Sequence, residues 1–451
     1  MNERGRRLVA FWNEHGTAAA MGLVRAKLGD AIAGRPIFNK LDPDNTVVSK
    51  NKSHSPAAAN EVVRERFIAI QPFETYLVPK ASIARVSLVT DSIGSGSLFG
   101  GVGTALLLAA QLANRMDATL RIVTRTEKPS SSNAAQVLNA YGIQLTHEVQ
   151  FAFSPVTGDG LELETSAGPA GLDIYPDETF ITTSWWTTAA TLPGVPHSSI
   201  IYLLQEDERM FYPFGDDRVQ CEHVLNNRNI RFVINTRLLY DHLIATGLDH
   251  LKRTGCWFEP AFPKSLFHER QRASGDKKKF FFYARPNNLR NLFYVGLDII
   301  DKAINEGILD LEQWDILLVG THIPSVAFSN GYLPERREGL DWEAYADLIG
   351  TVDLGFCLMY TPHPSYPPLD LAASAAVVVT NKFANKQDLS SYSRNIICAE
   401  LNTEALLDAL RAGVALAGDK ETRARNFAAN GLGVDWTESF EPILQLLAAG
   451  R

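Results

Sequence analysis

The chain has 451 residues, of which 45% are hydrophobic and 21% are charged, and its formal net charge is −8. This length suffices for two or three globular domains of about 150 residues each. The negative net charge excludes a broad basic surface for nucleic acid or for an anionic membrane, so no nucleic-acid partner is expected.

The four cysteines are scattered, without a CxxC spacing or neighbouring histidines, which favours buried thiols in a reducing compartment. No apolar core follows the arginines of the amino terminus, so no secretory signal is expected. No apolar run reaches the roughly 18 residues that a transmembrane helix requires. These features predict a cytoplasmic protein.

Residues 1–83 differ in composition from the remainder and are predicted to be a helical extension that packs on the main body. Within it we predict an amphipathic helix at 8–28, a polar span at 41–56 and a second helix at 59–67. The strands and helices of the main body begin after it.

From residue 84, short apolar runs of strand length alternate with helical patterns. The predicted strands are residues 85–91, 120–125, 178–184, 198–205 and 230–235. These runs are continuously apolar, which indicates strands buried on both faces and hence a parallel sheet. We predict a doubly wound, Rossmann-like α/β domain over residues 84–267.

A polar, Lys/Arg-rich span over residues 268–279 is interpreted as an interdomain linker in preference to a basic binding patch. The alternation then restarts, with strands predicted at 279–285, 314–320, 352–360 and 377–381. A second doubly wound domain is therefore predicted over 280–432, and a final helix is predicted at 440–449, within the remaining residues 433–451.

A glycine-rich turn, residues 92–103, joins the first strand to its helix. Backbone N–H groups at a helix start suit a phosphate or carboxylate. However, the spacing is not GxGxxG, and Thr124 and Arg125 stand where a ribose-binding acid would end the next strand, so NAD is not predicted. Gly100 and Gly101 are expected to line a cleft toward the second domain.

Arg285 is placed at a strand end, and Arg290 opens the helix that follows. Two fixed guanidinium groups beside a helix N-terminus suit a diphosphate, whereas the alternative is a pair of solvated surface arginines. Tyr366 and Asp370, which follow a neighbouring strand, favour the diphosphate. Asp370 would then bind ribose hydroxyls and Tyr366 would pack on the ligand.

The loop TPHPSYPPLD, residues 361–370, leads from a predicted strand into a helix. Its four prolines fix φ and hold the loop in one shape. A rigid loop at the carboxyl end of a strand, with a carboxylate at a helix start, is typical of a site for a small polar ligand. The alternative is a tight connection without a ligand.

Polar and aromatic residues also follow two strands of the first domain. Trp185 and Trp186 either belong to the core or stack on a sugar ring. The second of these strands ends in three polar residues, Gln205, Glu206 and Asp207. They either bind the hydroxyl groups of a sugar acceptor or form a solvated acidic turn.

Asp42 and Asp44 imitate the DxD metal motif, but they lie in the polar span, where a turn explains them. No His/Cys/Asp cluster elsewhere suggests a metal site. Neither a metal nor a cofactor is therefore expected.

The two arginines, with an acid that closes a proline-rich loop, resemble the donor site of GT-B glycosyltransferases of the GT4 type. More narrowly, FGG, SWWTTA, LLQEDERMFYP, HPSYPPLD and VVVTN resemble the WsaF-type rhamnosyltransferases over roughly residues 84–430. The resemblance implies two Rossmann-like domains that face each other across a cleft, and a nucleotide-sugar bound mainly by the carboxyl-terminal domain.

The resemblance also implies residue roles. The donor-binding set comprises Gly100, Gly101, Arg285, Arg290, His363, Ser365, Tyr366 and Asp370, and the catalytic residues among them are Arg285, Arg290 and Asp370. Acceptor binding is expected at Trp185, Trp186, Gln205 and Asp207.

The sequence departs from the family pattern at three positions. Pro362 stands where the first of two glutamates is usual, and Asp370 replaces the second. No lysine follows Gly339, although Arg336 or Arg337 could replace it. These departures bear on the ribose and sugar-phosphate contacts.

The resulting hypothesis is a glycosyltransferase that moves L-rhamnose from dTDP-rhamnose to a glycan acceptor in cell-surface polysaccharide assembly. Transfer is expected to retain the anomeric configuration and to need no metal. The alternatives are a nucleotide-sugar epimerase of the same architecture and a non-catalytic sugar-binding subunit. A homodimer and peripheral membrane association are left open.

Overall fold

The computed structural model describes residues 58–79, 82–94, 100–156, 171–271, 273 and 275–449. The helix predicted at 8–28, the polar span at 41–56 and the DxD-like pair lie outside these residues. The described strands are β1 Thr75–Leu77, β2 Ala84–Thr90, β3 Ala118–Thr124, β4 Gln150–Phe153, β5 Leu172–Ile174, β6 Thr179–Thr182, β7 Ile200–Leu204, β8 Arg231–Asn235, β9 Gly255–Phe258, β10 Lys278–Ala284, β11 Trp314–Gly320, β12 Glu335–Glu338, β13 Leu354–Cys357, β14 Val377–Asn381 and β15 Ile396–Ala399.

The described α-helices are α1 Ala59–Arg66, α2 Gly101–Arg115, α3 Ser131–Ala140, α4 Trp185–Thr191, α5 Asp216–Leu225, α6 Arg237–Ala245, α7 Leu251–Thr254, α8 Phe293–Asn305, α9 Trp342–Ile349, α10 Tyr366–Ala373, α11 Thr403–Gly418, α12 Lys420–Ala428 and α13 Trp436–Ala449. Short 3-10 helices include Leu289–Asn291, which precedes α8.

The chain divides into two compact units. The small unit consists of Met1–Arg66 and Glu208–His223, and the large unit consists of Phe67–Asp207 and Val224–Arg451. In the small unit an ion pair joins Arg66, at the end of α1, to the carboxylate of Asp217. Both main sheets belong to the large unit.

The first main sheet has seven parallel strands in the order β4-β3-β2-β6-β7-β8-β9. The leucines and alanines of α2 are buried on it, because this helix is apolar around most of its circumference. Helix α13 covers α2, and Trp436 and Phe440 join the same core cluster as Val86 and Leu88 of β2. The last helix of the chain therefore completes the core of the first sheet.

The second main sheet has six parallel strands in the order β12-β11-β10-β13-β14-β15. Phe280 and Phe282 of β10 point into a cluster with Phe356 and Leu410, while Phe281 between them packs in the opposite layer with Leu371. Alternate side chains of one strand thus enter two separate cores, which is why the strand reads as a continuous apolar run. The two parallel sheets confirm the predicted α/β class.

In each sheet the strand order reverses at one point. In the first sheet this point lies between β2 and β6, and in the second it lies between β10 and β13. At such a point the loops after the two strands diverge and leave a crevice at their carboxyl ends, where α/β sheets bind ligands. Asp91 and Trp186 flank the first crevice, and Arg290 and Thr361 flank the second.

The predicted strands overlap those observed in both main sheets. The prediction omitted several short strands, namely β1, β4, β5, β9, β12 and β15. The last helix begins at Trp436, four residues before the apolar pattern at Phe440 suggested.

Candidate functional site

A cleft opens between groups that belong to the two sheets. Gly100 and Thr104 line one side, at the start of α2, and Tyr366 and Asp370 line the other, on α10. The structure thus brings three residues of the predicted donor set, Gly100, Tyr366 and Asp370, around one cavity.

Asp370 is 8% exposed and accepts a hydrogen bond from the Tyr345 hydroxyl, whose oxygen lies 3.2 Å from Asp370 Oδ2. Burial raises the pKa of Asp370 from 3.8 to about 8, and the Tyr345 hydrogen bond opposes this rise in part. The Asp370 carboxyl is therefore mainly protonated at neutral pH and can both donate to and accept from a hydroxyl group.

This raised pKa predicts how stability depends on pH. The unfolded carboxyl loses its proton near pH 4, whereas the folded one keeps it up to about pH 8. Ionisation therefore favours the unfolded state across this interval, so Asp370 lowers stability as pH rises from 4 to 8. Asp370→Asn cannot ionise at this position. We therefore expect the stability of the variant, relative to that of the wild type, to be higher at pH 8 than at pH 5. Melting temperatures of both proteins at several pH values test this, and parallel pH profiles would contradict it.

The Tyr366 side chain joins the second domain to the first. Its hydroxyl lies 2.6 Å from Thr104 Oγ1 at the start of α2, and it accepts a hydrogen bond of 2.9 Å from Asn235 Nδ2 at the end of β8. Its ring lies over Gly100, where a Cβ atom would sit 3.6 Å from the Tyr366 ring. Gly100 also has a φ of 63°, a backbone conformation that favours glycine there.

The proline-rich loop ends in a strained residue, because Ser365 has a φ of 71° directly before α10. The Ser365 N–H donates to His363 Nδ1 at 2.9 Å, so the ring carries its proton on Nε2. Burial, with the charges of Lys386 and Arg290, lowers the pKa of His363 to about 3, which keeps the imidazole neutral. His363 Nε2 and Ser365 Oγ are both buried and have no hydrogen-bond partner in the described structure.

The rigid loop thus presents two buried polar groups, an N–H and a hydroxyl, beside the N-terminus of α10. Pro367 and Pro368 remove two of the N–H groups that a helix start normally offers. The His363 N–H and the Ser365 hydroxyl therefore stand where the helix start lacks backbone donors.

Arg290 lies in the short 3-10 helix before α8, where it forms an ion pair with Glu206 of the first domain. Arg290 Nη1 and Glu206 Oε2 are 2.8 Å apart, and the other carboxylate oxygen accepts a hydrogen bond from the Thr361 hydroxyl. The Tyr360 N–H donates to the Arg290 carbonyl at 2.7 Å. This bond ties the two loops that flank the crevice of the second sheet.

Arg285 is exposed at the end of β10, and its guanidinium lies 3.3 Å from the Tyr283 hydroxyl. The structure therefore places the predicted basic pair in two different surroundings. Arg290 is partly buried and faces the first domain, and Arg285 faces solvent.

Lys386, which follows β14, was absent from the predicted site. Its side chain is fully buried, and Nζ donates to the Met359 carbonyl at 3.1 Å. Burial lowers the pKa of Lys386 to about 8, although the negative charge of Glu206 opposes this shift. A buried lysine thus stands beside Arg290, Glu206 and His363.

On the first domain, Trp186 Nε1 donates to Asp91 Oδ2 at 2.7 Å across the crevice between β2 and β6. Burial raises the pKa of Asp91, and the Trp186 hydrogen bond and the charge of Arg125 oppose this. Trp185 is 3% exposed and belongs to the core. The two predicted tryptophans therefore differ, because Trp185 packs in the core and Trp186 meets a polar group of the crevice.

Gln205 Nε2 donates to the Gly101 carbonyl at 2.7 Å and so fixes the start of α2. Asp207 is 3% exposed, and its Oδ2 lies 3.3 Å from His242 Nε2. Of the three polar residues after β7, Glu206 is the one whose side chain reaches the second domain.

Several residues of the site were missed by sequence reasoning. Asp91 carried a usable signal, because it is a charged residue just after a buried strand of a parallel sheet. Lys386 lies five residues after β14, in a loop where a lysine is normally exposed to solvent. Asn235, Thr104 and Tyr345 carried none, since their roles depend on contacts with residues far away in sequence.

Among the described residues, no group of His, Cys, Asp and Glu side chains is arranged to hold a metal ion. In the same residues, no helix is both long enough and apolar enough to cross a membrane.

Two family models match the chain, "WsaF, N-terminal domain" over residues 85–237 and "WsaF, C-terminal domain" over residues 278–411. The O-antigen biosynthesis protein RfbC of Myxococcus xanthus is 31% identical over 236 residues. That alignment covers 51% of this chain but 17% of RfbC, so the likeness concerns one part of a much longer protein.

Solved structures share the arrangement of the two sheets. HepE of Anabaena, in complex with UDP and glucose, has a TM-score of 0.54 at 13% identity, over 80% of this chain and 99% of that one. WaaG, a glycosyltransferase involved in lipopolysaccharide biosynthesis, has a TM-score of 0.54 at 10% identity, over 81% and 99%. At these identities the likeness concerns the fold alone, and it confirms the predicted GT-B arrangement.

Proposed function

The chain belongs to the WsaF family, and from this premise we propose that it is a glycosyltransferase of polysaccharide biosynthesis. In this proposal it moves a sugar from a nucleotide-sugar to a hydroxyl group of a glycan acceptor. The observation that carries the proposal is the cleft between the two sheets, lined by Gly100, Tyr366 and Asp370, together with the buried donors of His363 and Ser365 directly before α10.

The second domain binds the nucleotide-sugar. Asp370, being protonated at neutral pH, exchanges hydrogen bonds with ribose hydroxyls. Arg290 binds the diphosphate, since a guanidinium makes charge-assisted hydrogen bonds with phosphate oxygens. Arg285 lies at the rim of this site and adds positive charge nearby.

The reaction breaks the bond between the anomeric carbon and the diphosphate oxygen, which leaves negative charge on the diphosphate. A fixed cation such as Arg290 stabilises this charge as it develops. The neutral His363 donates its Nε2 proton in a hydrogen bond to an oxygen of the sugar or of the phosphate. These groups supply the stabilisation without a metal ion.

The first domain binds the acceptor. Trp186 and Asp91 lie at its crevice, and Asp91 accepts hydrogen bonds from an acceptor hydroxyl when it is ionised. Gln205 holds Gly101 at the start of α2, and Asp207 orients His242, so both stabilise the conformation of residues around the site. Closure of the domains excludes water, which would otherwise compete as acceptor.

We propose L-rhamnose as the sugar and dTDP-rhamnose as the donor, with retention of the anomeric configuration. The support for this is the WsaF-type resemblance of the loop TPHPSYPPLD. A donor phosphate oxygen then takes the proton of the acceptor hydroxyl. The four cysteines are free thiols, which supports action in the reducing cytoplasm.

A thermal-shift screen of dTDP-, UDP- and GDP-sugars tests the donor assignment. A ligand at 100 times its dissociation constant adds about 2.7 kcal/mol of stability, so we expect the largest rise in melting temperature with dTDP-rhamnose. Product analysis with and without a glycan acceptor then tests the reaction. Conversion of the donor to an epimer without acceptor would show an epimerase, and binding without turnover would show a sugar-binding subunit.

A further inference from the structure

Among the described residues, a buried cation lies beside Glu206 without an ion pair of its own. Arg290 and Thr361 hold the two oxygens of Glu206, and Lys386 lies close enough for the two charges to interact. Lys386 is buried, forms no ion pair with a described residue, and donates a hydrogen bond to the Met359 carbonyl. His363 Nε2 is a further donor with no partner in the described structure.

A charge removed from water is stable only when it is paired, so a buried lysine in this position is costly. Burial accordingly lowers the pKa of Lys386 to about 8. A ligand with two or more negative charges would pair both cations and accept from the remaining donors. A diphosphate meets these requirements, whereas a neutral sugar does not.

We propose that Lys386 and Arg290 together bind the donor diphosphate, and that Glu206 occupies these cations until the donor displaces it. This inference rests on the proposed function. Glu206 belongs to the first domain, and its partners Arg290 and Thr361 belong to the second. Donor binding therefore breaks a contact between the domains and replaces it with a contact between the cations and the ligand.

The proposal predicts opposite changes in ligand affinity when the anion Glu206 and when the cation Lys386 is replaced. Glu206→Gln removes the competing charge and should tighten binding of UDP, dTDP and inorganic pyrophosphate by about tenfold. Lys386→Met keeps the buried alkyl chain but removes a phosphate contact, and should weaken binding on the order of 10- to 100-fold. Misfolding cannot explain a tighter-binding variant, so Glu206→Gln keeps the test decisive.

Isothermal titration calorimetry on the full chain measures these affinities, with melting temperatures as a check on folding. Lys382→Met is the matched control, because Lys382 lies in the same loop but pairs with Glu400 on the surface, and it should bind like the wild type. The proposal is overturned if Glu206→Gln binds no more tightly than the wild type or if Lys386→Met binds equally well. If the wild type binds no nucleoside diphosphate at all, the proposed function fails with it. If Arg290→Ala weakens binding while Lys386→Met and Glu206→Gln bind like the wild type, the roles of Lys386 and Glu206 are refuted and the proposed function stands.

Discussion

Replacing Arg290 with alanine is expected to weaken binding of the nucleoside diphosphate on the order of 10- to 100-fold. Arg290 is partly buried beside the crevice of the second sheet, and its ion pair with Glu206 shows that the guanidinium engages an anion there. Loss of a charge-assisted contact in such a place costs about 1.5–3 kcal/mol. Transfer should fall further than binding, because the charge on the leaving diphosphate grows during the reaction.

Calorimetry with dTDP and UDP, followed by initial rates of transfer, measures both effects. Arg411→Ala is a suitable control, since it removes a guanidinium from the surface of the same domain, where Arg411 pairs with Glu306 and Asp408. We expect this control to bind normally. Equal affinity of the wild type and Arg290→Ala would refute the diphosphate role of Arg290.

A second large effect is expected at Glu178, which is fully buried directly before β6. Its carboxylate accepts from Arg85 Nη2 at 2.7 Å, from Arg121 Nη2 at 2.5 Å and from the Ser87 hydroxyl. It also accepts from the Tyr175 N–H at 3.0 Å. One carboxylate therefore holds two buried arginines of adjacent strands, with side chains 3% and 2% exposed.

Glu178→Ala is expected to lower the free energy of unfolding by about 3–5 kcal/mol, because it leaves two buried cations that repel each other. The remaining partner, Asp173, is 38% exposed and cannot compensate fully. Urea denaturation measures the change. Glu441→Ala serves as the control, since Glu441 pairs with Arg115 on the surface and should be near neutral. Equal destabilisation by both substitutions would contradict this account of the network.

Much of the fold could be predicted from the sequence, because the strands of a parallel sheet are continuous runs of apolar residues. Strand β10 is an example, because its run of phenylalanines enters cores on both faces of the sheet. Short strands at the edge of a sheet have a weaker apolar pattern or none. All four residues of β12 are exposed and charged, so no apolar pattern marked it as a strand.

The candidate site could be predicted in part. Asp370, Ser365 and His363 were identified because a proline-rich loop between a strand and a helix is visible in sequence. The pKa of Asp370 was not predictable, because it depends on how deeply α10 is buried. Lys386 was missed for a related reason, since an isolated lysine in a loop normally lies in solvent.

The sequence by itself determined the α/β class, the parallel sheets and the loop at the crevice of the second domain, because these follow from local patterns of apolar residues, glycine and proline. Only the tertiary structure decided which charged groups meet. Glu206 and Arg290 are brought together by two separate sheets, and α13 returns to the core of the first one. Contacts of this kind depend on the packing of distant segments, and no local pattern in the chain encodes them.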